Sequence, residues 1–590
     1  MTLSNNLPER DEENESHSRR DYLGIANQYA HDVVNGKIDA CKLVIQACQR
    51  HLNDLDRQSD PDFEFEMDPE SAARWCRYLE ALPHVKGKWA AKRETLTLEP
   101  WQCFIVVSIG GWVEKLDHTR YRFQDAYIEV PRKNGKSFFG AGIGDYKFCA
   151  DGEYSAEVYF GATSEKQAQR LGFKPARAMV LRSPAMRKAF GIKVNVHSLV
   201  KEDDGSILKA VIAKPGDGDS PSCVIIDEYH EHPTSELYDC MKTGMGAREN
   251  PLIVVITTAG SNRGGPCYLM HLDMVKLLAG TLVNERQFAI IYTVDGPDKA
   301  TGFQGDDWKT EASLRKANPN YGVSIEPRFL RDELALAIQS TRRQNAFKMK
   351  YENIWTNAAQ GFINMERWKA LGDPTLLISQ FLKQPCVEAI DLASRVDIAS
   401  KVRVFERRIE GRKHFYLFAD HYLNQAAIDD GRSENYAIWA EDGWLTPTPG
   451  NITDYLTILE DIIDDAAKFK VRGIAYDPFH ADPLVQFIQA DKRWPQKIEF
   501  IEFPQNTGRV SPAMKEFEAL VLDGRIHHDG DPVLEWMVSN VIAAPRPHDC
   551  IFWDKEHDEL KIDGAVAGMM ALEQTSLLTQ SSTRTDVMVL

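Results

Sequence analysis

The sequence has no apolar run long enough to span a membrane and no regular spacing among its cysteines. The nearest candidate, residues 103–113, is interrupted by Ser and Gly, whereas a membrane-spanning helix needs about 20 apolar residues in a row. Residues 1–20 are polar and charged and lack the apolar core of a signal peptide. The 10 cysteines form no CxxC pair, which argues against a zinc site and against a disulfide framework. We therefore expect a cytosolic, reduced protein with no membrane partner.

Positive charge is also in short supply. Lys and Arg number 70 against 87 Asp and Glu, which gives a net charge of −17. Since phosphate binding is driven by Lys and Arg, this balance weighs against a nucleic-acid partner, but a local basic patch is enough to bind one. Two such patches lie in predicted helices, at residues 166–188 and 342–350. Each patch taken alone is more typical of a solvated helix face.

Length and composition predict a globular protein of several domains. At 590 residues the chain exceeds the size of a single hydrophobic core, and its 43% hydrophobic and 27% charged residues are typical of a soluble globular protein. The pattern of apolar residues predicts the following organisation: a disordered leader at 1–20, a helical region at 21–95, an α/β domain at 96–325, a helical linker at 326–385, a second α/β domain at 386–575 and a flexible tail at 576–590.

Strands and helices alternate in the first α/β domain, which predicts a parallel sheet with helices on both faces. The predicted strands are 125–130, 157–161, 223–227, 252–257 and 287–293, and the predicted helices are 136–149, 164–181, 235–247 and 267–279. The linker contains a strong helical pattern at 327–353. In the second domain the strands include 387–391 and 473–477, and the last helices are 532–543 and 563–574.

The segment VPRKNGKS, residues 130–137, follows a predicted strand and has the composition of a phosphate-binding loop. A nucleotide phosphate needs backbone N–H groups at a helix N-terminus, a Lys for the outer phosphates and a hydroxyl for Mg²⁺. Gly135, Lys136 and Ser137 supply the last three positions of the pattern G-x-x-x-x-G-K-[S/T], but Val130 stands where its first Gly belongs. The alternative is a basic surface turn.

A second apolar strand, CVIID at residues 223–227, ends in two carboxylates. Buried parallel strands present acids in this way at their C-terminal ends. Asp227 would hold Mg²⁺ through water, and Glu228 would polarise the attacking water. The alternative is a core strand followed by a solvated turn, but its place after a phosphate loop favours an ATPase site. The hydroxyls of Thr257 and Thr258, at the end of the next strand, could sense the γ-phosphate.

Three further aspartates predict a second site. Asp391 and Asp477 each end a strand, and Asp563 opens a helix. Carboxylate oxygens suit Mg²⁺ or Mn²⁺ rather than zinc, and two such ions would activate water and stabilise the leaving oxygen of a phosphodiester. This is the arrangement of an RNase H-like nuclease. The alternative is that each Asp caps a strand or forms a turn.

Other polar residues near these aspartates are less informative. Asp397 could be a fourth ligand or lie behind the other three. The spacing of His480, His527 and His528 fits no metal pattern, so we predict that they lie at the surface.

Taken in this order, the motifs resemble those of the large subunit of tailed-bacteriophage terminases over residues 21–575. LEPWQ, residues 98–102, resembles the adenine-side motif of that family, and VPRKNGKS resembles its deviant phosphate loop, which also lacks the first Gly. VIIDE matches the acidic strand end, residues 251–260 resemble the coupling motif, and the three aspartates match the nuclease acids. The resemblance implies that ATP contacts Trp101, Gln102, Pro131, Arg132, Lys133, Asn134, Gly135, Lys136, Ser137 and Asp227.

The resemblance also implies a fold and a function. The expected fold is a P-loop NTPase-like parallel sheet domain followed by an RNase H-like nuclease domain, with a helical N-terminal region. An ATPase of this kind pumps double-stranded DNA into a procapsid with Mg²⁺, and the nuclease cuts the concatemer with Mg²⁺ or Mn²⁺. The implied partners are a small terminase subunit, the portal protein and further copies in a homo-oligomeric ring, in the cytoplasm of the bacterial host and on the portal.

The resemblance leaves the arginines and two other functions open. Arg132 is a candidate for stabilising transition-state charge in cis, and a neighbouring subunit could supply Arg170, Arg177 or Arg248 in trans. One alternative function is a DNA translocase or helicase whose C-terminal domain only binds nucleic acid. Another is a binding protein with a vestigial nucleotide site.

Overall fold

The structure is a computed structural model that describes residues 20–212, 219–298, 300–392, 397–430, 434–495, 498–557 and 559–587. The chain divides into two compact units. The first contains the described residues up to Thr258, together with Met270–Pro327 and Tyr351–Asn353. The second contains Ala259–Leu269, Arg328–Lys350 and the described residues from Ile354 onward. Because the units exchange short segments, no single position separates them, and the predicted domain boundaries remain predictions.

Two of the predictions concern the N-terminal leader and membrane-spanning helices. Residues 1–19 of the predicted leader lie outside the described residues. Within the described part of the chain, every helix is too short or too polar to cross a bilayer.

The N-terminal region is helical, as predicted. Its elements are α1 (Tyr22–Val34), α2 (Lys42–Arg57), β1 (Phe65–Met67), α3 (Pro69–Ala81), α4 (Gly87–Ala91), α5 (Pro100–Gly111) and β2 (Trp112–Glu114). Helices α1 and α3 pack against α5, which is apolar on every face and buried along nearly its whole length. Gly110 permits the close approach of α3, since a Cβ there would lie 2.5 Å from the Trp75 ring.

An eight-stranded sheet forms the centre of the first unit. Its strands are β3 (Asp125–Glu129), β4 (Glu157–Ala162), β5 (Ile192–Val194), β6 (Ser198–Lys201), β7 (Ile207–Ile212), β8 (Cys223–Asp227), β9 (Leu252–Thr257) and β10 (Gln287–Ile291). Their order is β10-β3-β9-β8-β4-β7-β6-β5, parallel from β10 to β7 and antiparallel from there to β5. The buried strands β3, β8 and β9 carry the ends at which the predicted motifs lie. The predicted parallel sheet is confirmed.

The helices that accompany these strands include the four predicted from the sequence and two others. They are α6 (Lys136–Cys149), α7 (Glu165–Ala168), α8 (Lys174–Leu181), α9 (Pro184–Ala189), α10 (Glu236–Gly244), α11 (Pro266–Leu278) and α12 (Glu311–Ala317). Among them, α9 and α12 were not predicted. The helix predicted at 164–181 is confirmed as a continuous helical segment from Glu165 to Leu181, in which a π-helical turn at Gln169–Phe173 joins α7 to α8. Pro175 in the first turn of α8 has no N–H for a helix-interior bond, and Gly172 lies where a Cβ would meet the Phe160 ring at 2.3 Å.

The rest of the chain forms a second sheet, the helices around it and a short β-hairpin. Its elements are α13 (Pro327–Gln339), α14 (Thr341–Phe347), α15 (Met365–Ala370), β11 (Pro385–Asp391), β12 (Ala399–Ile409), β13 (Arg412–Asn424), α16 (Gln425–Asp429), α17 (Glu434–Glu441), β14 (Thr446–Thr448), α18 (Tyr455–Lys468), β15 (Lys470–Tyr476), α19 (Pro478–Ala490), β16 (Glu499–Glu502), α20 (Thr507–Leu522), β17 (Ile526–His528), α21 (Pro532–Asn540), β18 (Val541–Arg546), β19 (Cys550–Lys555) and α22 (Asp563–Val587). The strand order is β14-β13-β12-β11-β15-β16, with β17 paired to β13.

Both faces of this second sheet are covered by helices. Helices α20, α21 and α22 share one apolar core with the sheet, and α18 and α19 share the core of the other face. Strands β11, β12 and β13 are antiparallel neighbours, whereas β11 and β15 are parallel. The predicted second α/β domain is confirmed, and the parallel pair brings two strand C-termini to one edge.

Three predicted helices in this region have different ends in the structure. The helix predicted at 327–353 is divided into α13, α14 and a π-helical turn at Lys348–Glu352. The helix predicted at 532–543 ends at Asn540, where a β-hairpin of β18 and β19 begins. The last helix continues to Val587 instead of giving way to a tail at 576, because residues 575–587 contain no Gly or Pro to end it.

Candidate functional site

The predicted phosphate loop joins β3 to the N-terminus of α6. Gly135 (φ 87°) and Lys133 (φ 73°) have left-handed backbone conformations, which Gly adopts without steric cost. The N–H of Val130 donates to the carbonyl of Thr257 at 3.0 Å, so this residue continues the strand ladder. A Gly is therefore not required at position 130, where the strict sequence pattern places one.

Lys136 lies inside the loop. Its Nζ donates to the carbonyl oxygens of Val130 at 3.0 Å and of Pro131 at 3.4 Å. Burial lowers the pKa of Lys136, against the opposing effect of the nearby Glu228 and Asp227 carboxylates. The ammonium group is thus held by neutral carbonyls at the base of the loop.

Ser137 and Asp227 form a hydrogen-bonded pair next to this lysine. The Ser137 hydroxyl donates to Oδ2 of Asp227 at 2.9 Å, whereas Oδ1 of Asp227 is buried without a hydrogen-bond partner. Burial and the adjacent Glu228 raise the pKa of Asp227 to about 7. A hydroxyl oxygen beside an unpartnered buried carboxylate oxygen is a donor set that fits a hard divalent cation.

Glu228 occupies a left-handed conformation (φ 55°) directly after β8. Its Oε2 lies 3.4 Å from the Thr258 hydroxyl and 3.4 Å from Nδ1 of His230. Burial alone would raise the pKa of Glu228, but the positive charges of Lys136, His230 and Arg132 outweigh it and lower that pKa. Glu228 is therefore an ionised, half-buried carboxylate.

The two threonines at the end of β9 contact the acidic strand end. Thr258 reaches Glu228 as described, and Thr257 is 3.1 Å from both the backbone nitrogen and Nδ1 of His230. His230 was not predicted, because a single His after an acidic pair has no characteristic spacing.

A network of buried amides braces the phosphate loop from behind. Asn134 donates to the side-chain oxygen of Asn318 at 2.9 Å and accepts from the backbone N–H of Asn320 at 3.0 Å. Asn320 donates to the carbonyl of Asn134 at 3.1 Å and accepts from the Trp101 indole N–H at 2.8 Å. Neither Asn318 nor Asn320 was predicted, since the segment NPNY at 318–321 is typical of an ordinary turn.

A cavity of about 1050 Å³ opens in front of the loop. The predicted residues that line it are Gln102, Arg132, Lys133, Gly135, Lys136, Ser137 and Glu228. Trp101 and Asn134 lie behind the loop in the amide network, and Pro131 contributes its carbonyl to Lys136. A contact between Trp101 and a nucleotide would require the indole to leave its hydrogen bond with Asn320.

An aromatic part of the cavity wall was not predicted. The His84 ring stacks between Trp89 and Phe138, with centroid distances of 5.3 Å on both sides. All three residues line the cavity. Phe138 lies far along the chain from the other two, so no local pattern connects them.

The candidate arginines differ in their surroundings. Arg132 and Arg170 line the cavity, and Nε of Arg132 is buried without a hydrogen-bond partner. Arg177 donates to the carbonyl of Asn195 at 2.7 Å. Arg248 is bound to the carbonyl of Ser220 and forms ion pairs with two glutamates, so it is anchored within its own unit.

The three predicted nuclease acids come from adjacent elements of the second sheet. Asp391 ends β11, and Asp477 follows β15, whose Tyr476 pairs with Ile390 in the parallel ladder. Asp563 is the first residue of α22, a helix that packs on β11, β12 and β15. The two strand ends and the helix start therefore meet at the same edge.

Burial and neighbouring carboxylates shift the pKa values of two of these acids. Burial and the carboxylates of Asp563 and Asp477 raise the pKa of Asp391 well above its usual value. Burial raises the pKa of Asp563 to about 6, and Asp397 adds to that effect. Oxygen donors with an excess of buried negative charge fit a divalent cation. Within the described ranges, however, no three His, Cys, Asp or Glu side chains already stand in a metal-holding arrangement.

The remaining predicted residues of this region are also placed. Asp397 forms an ion pair with Lys561, with 2.6 Å between Oδ1 and Nζ. The surface position predicted for His528 is wrong: it is buried and stacks on Trp368 at 4.3 Å. His527 is half-buried and hydrogen-bonds to His414 at 2.9 Å. The side chain of His480 lies outside the described residues.

Comparison with known families identifies both domains. A model of the terminase large subunit ATPase domain matches residues 100–273, and a model of the terminase large subunit endonuclease domain matches residues 301–577. The first match includes the phosphate loop and Glu228, and the second includes all three aspartates.

Individual proteins are similar over most of their length. Protein YmfN of Escherichia coli (strain K12) is 39% identical over 383 residues, which cover 63% of this chain and 81% of that protein. The terminase large subunit of Enterobacteria phage HK97 is 24% identical over 455 residues, covering 76% and 86% of the two chains. The crystal structure of the HK97 bacteriophage large terminase matches 85% of this chain and 98% of its own, with 23% identity and a TM-score of 0.42.

Proposed function

This chain belongs to the terminase large subunit family, and from that premise we propose which of its residues perform each of two hydrolyses. The protein is a DNA-packaging motor with ATPase and endonuclease activities, and it uses a nucleotide and divalent metal ions. The single observation that carries the residue assignment is the position of Lys136, the Ser137–Asp227 pair and Glu228 around one cavity.

In the ATPase site, Lys136 leaves the carbonyls of Val130 and Pro131 and binds the outer phosphates of ATP. Backbone N–H groups at the N-terminus of α6 bind the same phosphates. Ser137 and Asp227 would hold Mg²⁺, which supplies charge neutralisation on the phosphates when bound. The ionised Glu228 accepts a proton from the attacking water, and Arg132 stabilises the charge that develops on the γ-phosphoryl group.

The cavity has room for the rest of the nucleotide. Its volume of about 1050 Å³ is at the upper end of the range of small-molecule sites, roughly 300–1,000 Å³. Gln102 and the stacked rings of His84, Trp89 and Phe138 also line this cavity. Trp101 acts through Asn320 as a brace for the loop rather than through the base.

In the nuclease site, Asp391, Asp477 and Asp563 would hold Mg²⁺ or Mn²⁺. When bound, the metal supplies an activated water and stabilises the leaving oxygen of the DNA strand. The fold holds the three carboxylates in place. Asp391 and Asp477 lie at the ends of the paired parallel strands β11 and β15, and Asp563 lies at the start of α22. Asp397 neutralises Lys561 beside them.

The family further supports partners and a cellular setting. We infer that the chain acts on double-stranded DNA in the cytoplasm of a bacterial host, receives the DNA with a small terminase subunit, and assembles as a homo-oligomeric ring on the portal protein. Arg170 and Arg177 remain the candidates for an arginine acting in trans, because Arg248 is anchored by its two ion pairs.

A reciprocal pair of variants tests this assignment. Lys136→Ala should abolish ATP hydrolysis while leaving metal-dependent cleavage of plasmid DNA intact. Asp477→Ala should abolish cleavage and leave ATP hydrolysis at the wild-type rate. Cleavage that survives in Asp477→Ala would remove the nuclease assignment and favour a domain that only binds nucleic acid.

A further inference from the structure

One row of residues runs across the second sheet from the nuclease edge. In the antiparallel ladders Asp391 pairs with Ser400, and Ser400 pairs with His421. Residues paired across neighbouring strands point to the same face of a sheet. Asp391, Ser400 and His421 therefore share the face that α22 covers.

The row continues as a buried hydrogen-bonded chain. Ser400 Oγ lies 2.8 Å from Nδ1 of His421, and Nε2 of His421 lies 3.0 Å from Oδ2 of Asp531. The other oxygen of Asp531 accepts the N–H groups of Val533 and Leu534 at the start of α21. Both ring nitrogens of His421 are therefore hydrogen-bonded, one to Ser400 and the other to Asp531.

This Ser–His–Asp chain is not a hydrolytic triad. Ser400, His421 and Asp531 are each 1% exposed, so no substrate reaches the hydroxyl. The chain instead fixes the His421 ring from both of its nitrogens, and a ring held in this way is a rigid support for whatever packs on it.

The first turn of α22 packs on that ring. A Cβ at Gly564 would lie 2.7 Å from Cε1 of His421 and 2.9 Å from the sulfur of Met537. The N–H of Gly564 donates to the same sulfur at 3.0 Å. Only Gly permits this approach, and the residue directly before it is Asp563.

We propose that His421 is a positioning residue for the nuclease centre, which sets the distance of Asp563 from Asp391 through its contact with Gly564. The inference rests on the metal-binding role proposed for these two aspartates. Ser400 ties the ring to the strand position opposite Asp391, and Asp531 ties it to α21. Without the ring, the first turn of α22 moves toward the sheet. The distance between the carboxylates of Asp563 and Asp391 then no longer suits a shared metal ion.

The test is Mn²⁺ binding measured by isothermal titration calorimetry on the full-length protein without DNA. His421→Asn, which can keep the bond to Ser400 but removes the ring beneath Gly564, should bind Mn²⁺ about tenfold more weakly, since residues behind metal ligands contribute 10- to 100-fold to affinity. The metal concentration for half-maximal DNA cleavage should rise by the same factor, with a smaller change in rate at saturating metal. ATP hydrolysis should stay at the wild-type rate.

A second variant makes the contact itself testable. Gly564→Ala should weaken Mn²⁺ binding because its methyl group collides with the ring. Combining it with His421→Asn should restore part of the affinity lost in Gly564→Ala alone, a non-additivity expected only for residues in contact. His414→Ala, farther along β13 and half-buried, is the matched control and should bind Mn²⁺ like the wild type.

The outcomes separate this inference from the proposed function. If Asp391→Ala loses Mn²⁺ binding while His421→Asn and Gly564→Ala, shown to be folded by their thermal unfolding, bind like the wild type, His421 does not position the centre. If Asp391→Ala binds Mn²⁺ as well as the wild type does, the metal site is misassigned and the inference falls with it.

Discussion

The two catalytic regions of this protein differ in how their charged groups are partnered. Around the phosphate loop, Lys136 donates to two carbonyls and Ser137 donates to Oδ2 of Asp227, so these contacts exist before a ligand binds, although Oδ1 of Asp227 has no hydrogen-bond partner. At the nuclease edge, Asp391 is buried against two other carboxylates that raise its pKa. A nucleotide must therefore replace contacts within the loop, whereas a cation relieves repulsion that the folded chain itself cannot remove.

The largest effect should come from Glu228, the ionised carboxylate beside the phosphate loop. Glu228→Gln keeps the shape of the side chain but cannot accept a proton, so ATP hydrolysis should fall about 10³-fold, or about 4 kcal/mol in activation free energy. Affinity for a fluorescent ATP analogue should stay close to wild type. Phosphate release at saturating ATP measures the rate, and DNA cleavage should be unchanged.

A matched variant distinguishes proton transfer from a general effect of charge in the cavity. Glu231 also lines the cavity, is exposed, and accepts from Gln167 at 2.7 Å. Glu231→Gln should change the hydrolysis rate by no more than about twofold, as expected for surface substitutions. Equal losses in both variants would show that Glu228 acts through charge alone.

The excess of acid in the second region extends to the opposite face of its sheet. Glu388 is fully buried on β11 with no hydrogen-bond partner for either carboxylate oxygen. Burial and the nearby Asp465 raise its pKa to about 8, against the effect of Lys401 and Arg403. Those two cations are already paired with Asp465 and Asp420, so Glu388 remains protonated at neutral pH.

The second prediction follows from this proton. Because Glu388 keeps it between about pH 5 and 8 while the unfolded chain has released it, the free energy of unfolding falls as the pH rises through that range. Glu388→Gln should match wild-type stability at pH 5 and exceed it by about 4 kcal/mol at pH 9. Urea denaturation of the second unit at the two pH values measures this. A difference that does not grow with pH would show that Glu388 is ionised in the folded protein.

The sequence was informative where chemistry is local and uninformative where it depends on register. The helix that starts at Lys136 and the acids at the end of β8 lie in short segments. The residue types of these segments are enough to predict a phosphate loop and an acidic strand end. The meeting of Asp391 with Asp477 depends on the parallel pairing of β11 and β15, which the predicted strands allow but do not specify. The chemistry could thus be predicted, but not the geometry that joins distant segments.

The network of buried amides that braces the phosphate loop could not be predicted from the sequence either. Asn320 lies far along the chain from Trp101 and Asn134, and its role depends on two hydrogen bonds that no spacing encodes. The π-helical turn within the helix at 164–181 was not predicted for a related reason: helical periodicity does not show the close contact of Gly172 with Phe160, which is tertiary. Residues that act through such contacts become visible only in the folded chain.

The third prediction uses this brace to test whether the loop is rigid before ATP binds. Asn320→Ala leaves the buried indole N–H of Trp101 and the carbonyl of Asn134 without partners, which should cost about 2 kcal/mol. We expect lower stability of the first unit in urea and weaker ATP binding. Asn53→Ala, which removes an exposed hydrogen bond to Gln49, is the control and should change the free energy of unfolding by less than about 0.5 kcal/mol.

The smallest effect should come from the outer contact of the same loop. Ser324 donates to the carbonyl of Lys133 at 2.7 Å, but it is exposed, so water can replace it. Ser324→Ala should therefore change ATP affinity by no more than about twofold. If it weakened ATP binding as much as Asn320→Ala does, the loop would be held from its solvent side. The conformation of the phosphate loop would then depend on a hydrogen bond that solvent can break, rather than on the buried hydrogen bonds between Asn134 and Asn320.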